Sequence, residues 1–448
     1  MIAEMALLPK SKLWRVIIVL AGFVLLIPVL AAFFYAEEDL RGKREWEKCK
    51  HELEAKGALL DWNAYVPPPV PDDQNFFKAP KMQEWFVKPR SGQVTSDFVI
   101  RLSSPNTTAT ITNETAAIKY LAWSDKFKPD FDLIRNALKR PYARMDGGYS
   151  DPTITPVPNF AVLRDFSKTL AQRAQCYLLL HQPEKALSEL TLLNDSRRLL
   201  EAAPTGKPMT LVAALLNIAE VGVYVDAIAD GIRSQAWSEP QLISLQKQLG
   251  QINLCPFLMD AMREERATTC YLIETRAINK IEPEHSNMAR GWFYQNMVTA
   301  AEWDEQTIQS IDLTNNLISP DKVERVEAEK AAIRHFRPYT FMAAILVPNF
   351  SKAFQILAHN QTLVNEAQIT CMLERYHLGH GEYPKTLDEL VPQLIEKLPH
   401  DIIGGQPLHY RRTNDGKFLL YSIGWNEKDD DGSPGTPTDL KNGDWVWK

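Results

Sequence analysis

The feature that most constrains this chain is one apolar run near its start. Trp14 to Tyr35, WRVIIVLAGFVLLIPVLAAFFY, carries no charge after Arg15. A helix rises ~1.5 Å per residue, so about twenty such residues cross a hydrocarbon layer of ~30 Å. The run predicts a cytoplasmic stub over 1–12 and a transmembrane helix over 13–35. Pro28 fits, because membrane-spanning helices tolerate proline. Lys10, Lys12 and Arg15 precede the run, and Glu37, Glu38 and Asp39 follow it. That bias predicts a single-pass protein of the inner (cytoplasmic) membrane, with the N-terminus in the cytoplasm and the C-terminal bulk in the periplasm. A cleaved secretory signal is the competing reading. The run is longer than a usual signal core, and FFYAEED offers no small-x-small cleavage site.

A net charge of −6 and the lack of a basic patch argue against a nucleic-acid partner. The five cysteines, Cys49, Cys176, Cys255, Cys270 and Cys371, form no C-x-x-C pair. An odd count is no disulfide framework, and buried thiols are the simpler reading, with a Cys255–Cys270 pairing as the alternative.

Residues 36–158 read as a juxtamembrane helix, a Pro-rich linker and a mixed α/β region. Trp46, Cys49 and Leu53 form one apolar stripe at i, i+3, i+7. Tyr65 to Pro71, YVPPPVP, predicts a polyproline II segment. SDFVIRL and TTATITN alternate as short strands, Asn113 caps a helix, and Asp130 caps FDLIRNALKR through Leu133, Ile134, Ala137 and Leu138.

Residues 159–347 predict a helical domain. One helix carries Leu163, Phe166, Leu170, Ala174 and Tyr177 on a stripe. Pro183 opens a second through Ala186, Leu190 and Leu193. A very apolar helix follows Pro208, and its Val212, Leu215, Leu216, Ile218 and Val223 predict a core helix, a second membrane span being the alternative. Ser238 and Gln241 make a capping box, and further helices are expected over 256–277, 304–315 and 321–335. Residues 348–448 read as a long helix ending at Gly379 or Gly381, then a compact α+β tail. In that tail Thr386 and Glu389 form another capping box, and Asn414-Asp415-Gly416 marks a hairpin. The fold class expected is mainly α: an N-terminal transmembrane helix, a multi-helical extracytoplasmic domain and a small C-terminal α+β unit.

Three resemblances stand beside this reading. Leu170 to Ala203 resembles a tetratricopeptide hairpin, with Gln182 where that motif has glycine. A single copy does not make a solenoid, because such repeats are stable by stacking on one another. The tail resembles the globular part of type II secretion major pseudopilins. The likeness runs over Leu373-Glu374-Arg375-Tyr376-His377-Leu378-Gly379-His380-Gly381-Glu382-Tyr383-Pro384, Thr386 to Leu390, Gly405 to Tyr410 and Leu420 to Gly424. It covers under a fifth of the chain and implies the fold of the tail. Pseudopilins join their processed anchor directly to the long helix. Here Gly22-Phe23 sits inside the apolar run with no acid at Leu25 to Ile27, so the prepilin processing site is absent. The whole arrangement is also similar to large uncharacterised envelope proteins of the planctomycete and verrucomicrobial type.

The pseudopilin resemblance implies a calcium ion in the loop after the last strands. Its aspartate corresponds to Asp439 in Pro437-Thr438-Asp439-Leu440, with Asp429, Asp430 and Asp431 upstream. Oxygen ligands on a loop suit a hard cation, and a solvated acidic loop is the alternative. Cys371, Glu374, His377 and His380 offer zinc-type ligands at three-residue steps. Each step turns the helix by ~300°, so the set drifts by about half a turn and does not converge. No G-x-S-x-G, H-E-x-x-H, P-loop or Rossmann pattern is present. The function expected is a membrane-anchored periplasmic scaffold or protein-interaction protein with other envelope proteins as partners, and no catalytic residue is named. An accessory component of a type II secretion or pilus-like system and an envelope hydrolase are the alternatives. The oligomeric state stays open.

Overall fold

The computed structural model describes residues 10–88, 98, 102, 111–201, 210–275, 288–332, 337–436 and 439–447, except the side chains of 10–13, 16, 18, 20 and 23. Thirteen helices are described. They are α1 (Lys10–Ala55), α2 (Met82–Phe86), α3 (Glu114–Ser124), α4 (Lys128–Ala137), α5 (Phe160–Leu179), α6 (Pro183–Arg197), α7 (Leu211–Arg233), α8 (Glu239–Leu249), α9 (Cys255–Glu274), α10 (Arg290–Ile308), α11 (Pro320–Ala332), α12 (Phe341–Leu346) and α13 (Ser351–His380). The strands are short. β1 (Ile311–Asp312) pairs with β2 (Leu317–Ile318), and β3 (His409–Arg412), β4 (Phe418–Ser422) and β5 (Trp445–Val446) form an antiparallel sheet in that order. The chain is mainly helical with a small C-terminal α+β region, as the sequence predicts.

The chain divides into two compact units. The first comprises Met1–Leu60, Thr269–Trp303 and Ile333–Pro348. Its core is built on the predicted stripe, since Trp46, Cys49 and Leu53 are buried with Ile273, Phe293, Met297 and Met342. A backbone contact fixes where α1 meets α10. A Cβ on Gly291 would stand 1.9 Å from the Glu38 carbonyl oxygen, so only glycine allows the approach. There Asp39 accepts the Gly291 amide at 2.7 Å, and buried Glu38 accepts the Trp292 indole N–H at 2.9 Å and pairs with Arg41 at 2.6 Å. Asp39 thereby satisfies an amide in the first turn of α10 and meets the positive end of its dipole.

This arrangement corrects the expected N-terminal transmembrane helix over 13–35, and with it the single-pass inner-membrane placement. The apolar run is not a self-contained span. It is the first part of α1, a helix of 46 residues, and the acids read as membrane flanks are taken up by α10. Among the described residues, the helix long and apolar enough to cross a membrane is α7, in mid-chain. It meets that test by length and composition, and 56% of its most apolar stretch is buried.

The second unit comprises Asp61–Thr268, Asp304–Ala332 and Asn349–Lys448. In it α5 packs on α3, α6 and α7, while α13 packs on α7 and α8. The α5 stripe is buried as predicted, and so are Ala186, Leu190 and Leu193 of α6. On α7 the expected face is off. Of the five residues named, only Ile218 is buried, and Val212 is 55% exposed. Ala213, Ala214, Val221, Tyr224 and Ala227 are buried instead. A helix apolar all round gives no stripe to choose from, and small residues win where backbones approach closely. Gly222 shows the crowding, because a Cβ there would lie 2.5 Å from the Asn360 side-chain oxygen on α13.

Local signals mostly hold. The side chain of Asn113 accepts the Ala116 amide at 2.9 Å, and both capping boxes form. Gly381 ends α13 in the left-handed region. The Asn414-Asp415-Gly416 turn joins β3 to β4, with Arg412 opposite Phe418. Asp130 does not cap α4, which starts two residues earlier, and Leu133 is 39% exposed. The helix expected over 304–315 gives way after Ile308 to the β1–β2 hairpin. The strand expected at SDFVIRL lies outside the described residues except for buried Phe98 and Leu102, and most of TTATITN lies outside them too.

Arg173 ties α3, α5 and α6 together. It is 1% exposed, yet it is a cation. It donates to Glu189 at 3.0 Å, to Ser124 at 2.6 Å, to Asp125 at 3.0 Å and to the Tyr177 hydroxyl at 3.0 Å. Removing one member of such a buried set strands the other charge, at about 3–5 kcal/mol. Arg173→Met is expected to lose that much stability in urea titration of the full chain. Adding Glu189→Leu is expected to recover at least half of it, because no buried charge then lacks its partner.

Candidate functional site

Each carboxylate proposed from the sequence has protein partners of its own. Asp429 accepts from the Tyr421 hydroxyl at 3.1 Å and from the Asp431 amide at 2.9 Å, with the His409 ring 3.5 Å away. Asp431 pairs with Arg411. The side chain of Asp430 accepts from Asn426 at 3.4 Å. Asp439 turns back on its own loop, accepting from the Lys441 amide at 2.9 Å and the Asn442 side chain at 2.7 Å. Hydrogen bonds to their charged forms hold Asp429 and Asp439 below the usual carboxylate range. Among the described residues, no three His, Cys, Asp or Glu side chains are placed to share a metal ion.

The residue that organises this loop is Asp444, which sequence reading passed over. It is 2% exposed. Its carboxylate accepts the Asp430 amide at 3.1 and 3.2 Å and the Gly432 amide at 2.7 Å. One buried anion thus draws two loop amides onto the strand end before β5.

The helix-end ligand set is also dispersed. Cys371 is fully buried. His380 stacks on Tyr376, and its Nδ1 lies 2.9 Å from the Tyr376 carbonyl oxygen. His377 stacks on Tyr383, whose hydroxyl donates to Glu374 at 2.7 Å.

A wide concavity lies elsewhere in the second unit. A groove of 1150 Å³ is bounded by the start of α3, the end of α5 and the end of α7. Thr112, Asn113, Glu114 and Thr115 line one side, Gln172, Gln175 and His181 a second, and Asp230 and Ser234 the third. Leu178, Leu179, Ile111 and Ala236 supply apolar floor between them. Gln175 donates to Asp230 at 2.6 Å across the groove, and Asp230 also pairs with Arg233. Helix ends hold these side chains in place. Asn113 caps α3, and the Ser234 hydroxyl donates to the Asp230 carbonyl at 2.9 Å. The wall is amide and hydroxyl chemistry with both donors and acceptors, which suits a ligand whose polar groups repeat, such as an extended peptide backbone. Its residues come from three distant segments, so no local motif announces them.

Two further acids, Asp304 and Glu366, are buried with both side-chain oxygens lacking a hydrogen-bond partner, and Glu220 is buried beside Ser167. Burial pushes the Asp304 carboxyl up to about 8, against the pull of Arg266 and Lys330. Burial, with Asp401 close by, raises Glu366 well above the ordinary range. No protein-family profile, curated protein or solved structure matches the chain.

Two outcomes are expected from this arrangement. Asp444→Ala is expected to destabilise the full chain by about 1.5–3 kcal/mol, the scale of hydrogen bonds to a charged group, whereas Asp439→Ala, at a partly exposed position bonded within its own turn, stays within about 0.5 kcal/mol. Thermal melting of the two variants compares them directly. Asp304 fixes a sign with pH. Unfolded, its carboxyl titrates near ~3.9, so between there and about 8 the native state holds a proton the unfolded chain has lost. Its contribution is therefore fully present at low pH and is lost as pH rises towards 8. Asp304→Asn is expected to gain stability over the parent by more than about 1 kcal/mol between pH 5 and pH 9, read by urea titration at both values.

Proposed function

We propose that this chain is a membrane-associated, largely helical interaction protein that holds an extended segment of a partner polypeptide in the α3–α5–α7 groove. The observation that carries the reading is the groove wall. Side-chain amides, hydroxyls, the His181 imidazole and the two carboxylates Glu114 and Asp230 are set on three packed helix ends, with apolar side chains between them. A peptide strand presents amides and carbonyls in alternation and side chains to either side, so both parts of that wall are used. Rigid helix ends keep the ordering cost of binding low. The end of α5, first helix of the tetratricopeptide-like pair, supplies one wall, and the Arg173 set holds it against α3 and α6.

The tail supports a second reading, as an accessory component of a type II secretion or pilus-like assembly. The order of a long helix α13, a 3-10 turn over Leu387–Leu390 and the small sheet β3–β4–β5 agrees with what the pseudopilin resemblance implies. A calcium ion at Asp439 and the Asp429–Asp431 run belongs to that reading and rests on the sequence resemblance. Melting the full chain with calcium and then with chelator tests it.

A photo-crosslinking residue at Gln175, with a control at exposed Lys322, tests the first reading in cells. Mass spectrometry is expected to find one polypeptide segment joined at 175 and absent at 322. That segment, synthesised as a peptide, is expected to bind the full chain at least about tenfold more tightly than it binds a Leu179→Arg variant. Equal labelling at both positions, or equal binding to both proteins, contradicts the groove. Recovery of secretion-platform proteins with the tail, in place of a segment in the groove, favours the second reading.

A further inference from the structure

The second unit holds a smaller pocket whose chemistry differs from that of the groove. It measures 210 Å³ and lies where the end of α7 and the start of α8 meet the end of α13. Drug-sized sites occupy ~300–1,000 Å³, so this one takes a small ligand. Its walls are Ile232, Trp237, Leu242 and Leu378, with Gln235 as a neutral polar group and Glu374 and His377 as the ionisable ones. Trp237 is fixed there. Its indole N–H donates to the Ile228 carbonyl at 3.1 Å, and its ring lies so close to Gly231 that a Cβ would stand 2.2 Å from it.

Glu374 is half-buried, and its hydrogen bond comes from a neutral donor, the Tyr383 hydroxyl. The cation next to it in sequence is committed elsewhere, since Arg375 donates to Gln246 at 2.7 Å and reaches Glu239 at 3.8 Å. The imidazole that faces Glu374 belongs to His377, which is stacked on Tyr383. A half-buried carboxylate at the wall of a tryptophan-lined pocket has His377 as its one ionisable neighbour there, and a full positive charge in the pocket would offset its burial better. An ammonium group meets that need, and an aromatic wall adds attraction for a cation.

We propose that this pocket binds a small organic cation, an alkylammonium with a short apolar chain, with Glu374 as its counter-ion and Ile232, Trp237 and Leu242 around its chain. The site is separate from the peptide groove and does not depend on it.

The test uses the full chain and three isosteric probes, n-butylammonium, 1-butanol and butyrate, by titration calorimetry and by the indole N–H signals in NMR. Butylammonium is expected to bind about tenfold or more tightly than butanol, to shift the Trp237 signal, and to be unmatched by butyrate. Glu374→Gln is expected to lower butylammonium affinity at least about tenfold while leaving butanol unchanged. Leu378 is 57% exposed at the rim, so Leu378→Lys introduces a competing ammonium without touching the core, and it is expected to cause a loss of similar size. Equal affinity for all three probes, no binding of butylammonium, or unchanged affinity in Leu378→Lys overturns the proposal.

Discussion

The larger unit depends on the burial of one guanidinium. Arg173 sits on α5 with almost no contact with water, and it is tolerable there only because α3 and α6 bring it acceptors. Glu189 supplies the main countercharge from across the α5–α6 turn, and burial is what the pairing has to overcome. Asp125 and Ser124 arrive from the end of α3. A guanidinium presents its donors in a fixed fork, so three helices must keep their spacing for all of these bonds to form at once. An apolar side chain at the same place would tolerate sliding. The network therefore acts as a register pin for α3 against α5, and those two helices form two of the three walls of the groove.

On the other side of α5, registration comes from shape rather than charge. The helix α7 meets α13 through Gly222 and meets Trp237 through Gly231, both at distances a methyl group would violate. Alanines fill much of its buried face. Small residues let backbones approach until dispersion contacts are dense. The same helix carries Glu220 inward beside Ser167, and α13 carries Glu366 inward with no hydrogen-bond partner. A core with such carboxyls gives up stability that an apolar residue would have kept, and it makes stability fall as pH rises through the acid and neutral range. In the tail, Asp444 shows the opposite solution, since its buried carboxylate is satisfied by backbone amides.

The legible parts of this fold are those in which a local rule and the packing agree. Trp46, Cys49 and Leu53 declare the inner face of α1, and Leu163, Phe166 and Leu170 that of α5, because each stripe is one helix face wide. Asn113, Ser238 and Thr386 announce helix starts through side-chain bonds within three residues. The face of α7 was not legible, since a helix apolar all round carries no contrast, and its buried side is chosen by Gly222 and its alanines. Nor were the ends of the apolar N-terminal run. Its composition speaks of a membrane, but its helix continues to Ala55, and Glu38 and Asp39 find partners some 250 residues away. The acidic loop showed its charges but not their partners, because Arg411, His409 and Asp444, which takes the loop's own Asp430 and Gly432 amides, come from other parts of the tail. The groove has no local signature at all, being made where three helix ends meet.

In the proposed role, the ends of α3, α5 and α7 act as one binding surface for polypeptide. Hydrogen–deuterium exchange on the full chain, with and without the partner segment bound, tests it most directly. The account predicts slowed exchange together at residues 113–117, 175–182 and 230–236, with the β3–β4 hairpin unchanged. Slowed exchange confined to the tail, or at only one of the three helix ends, would contradict it.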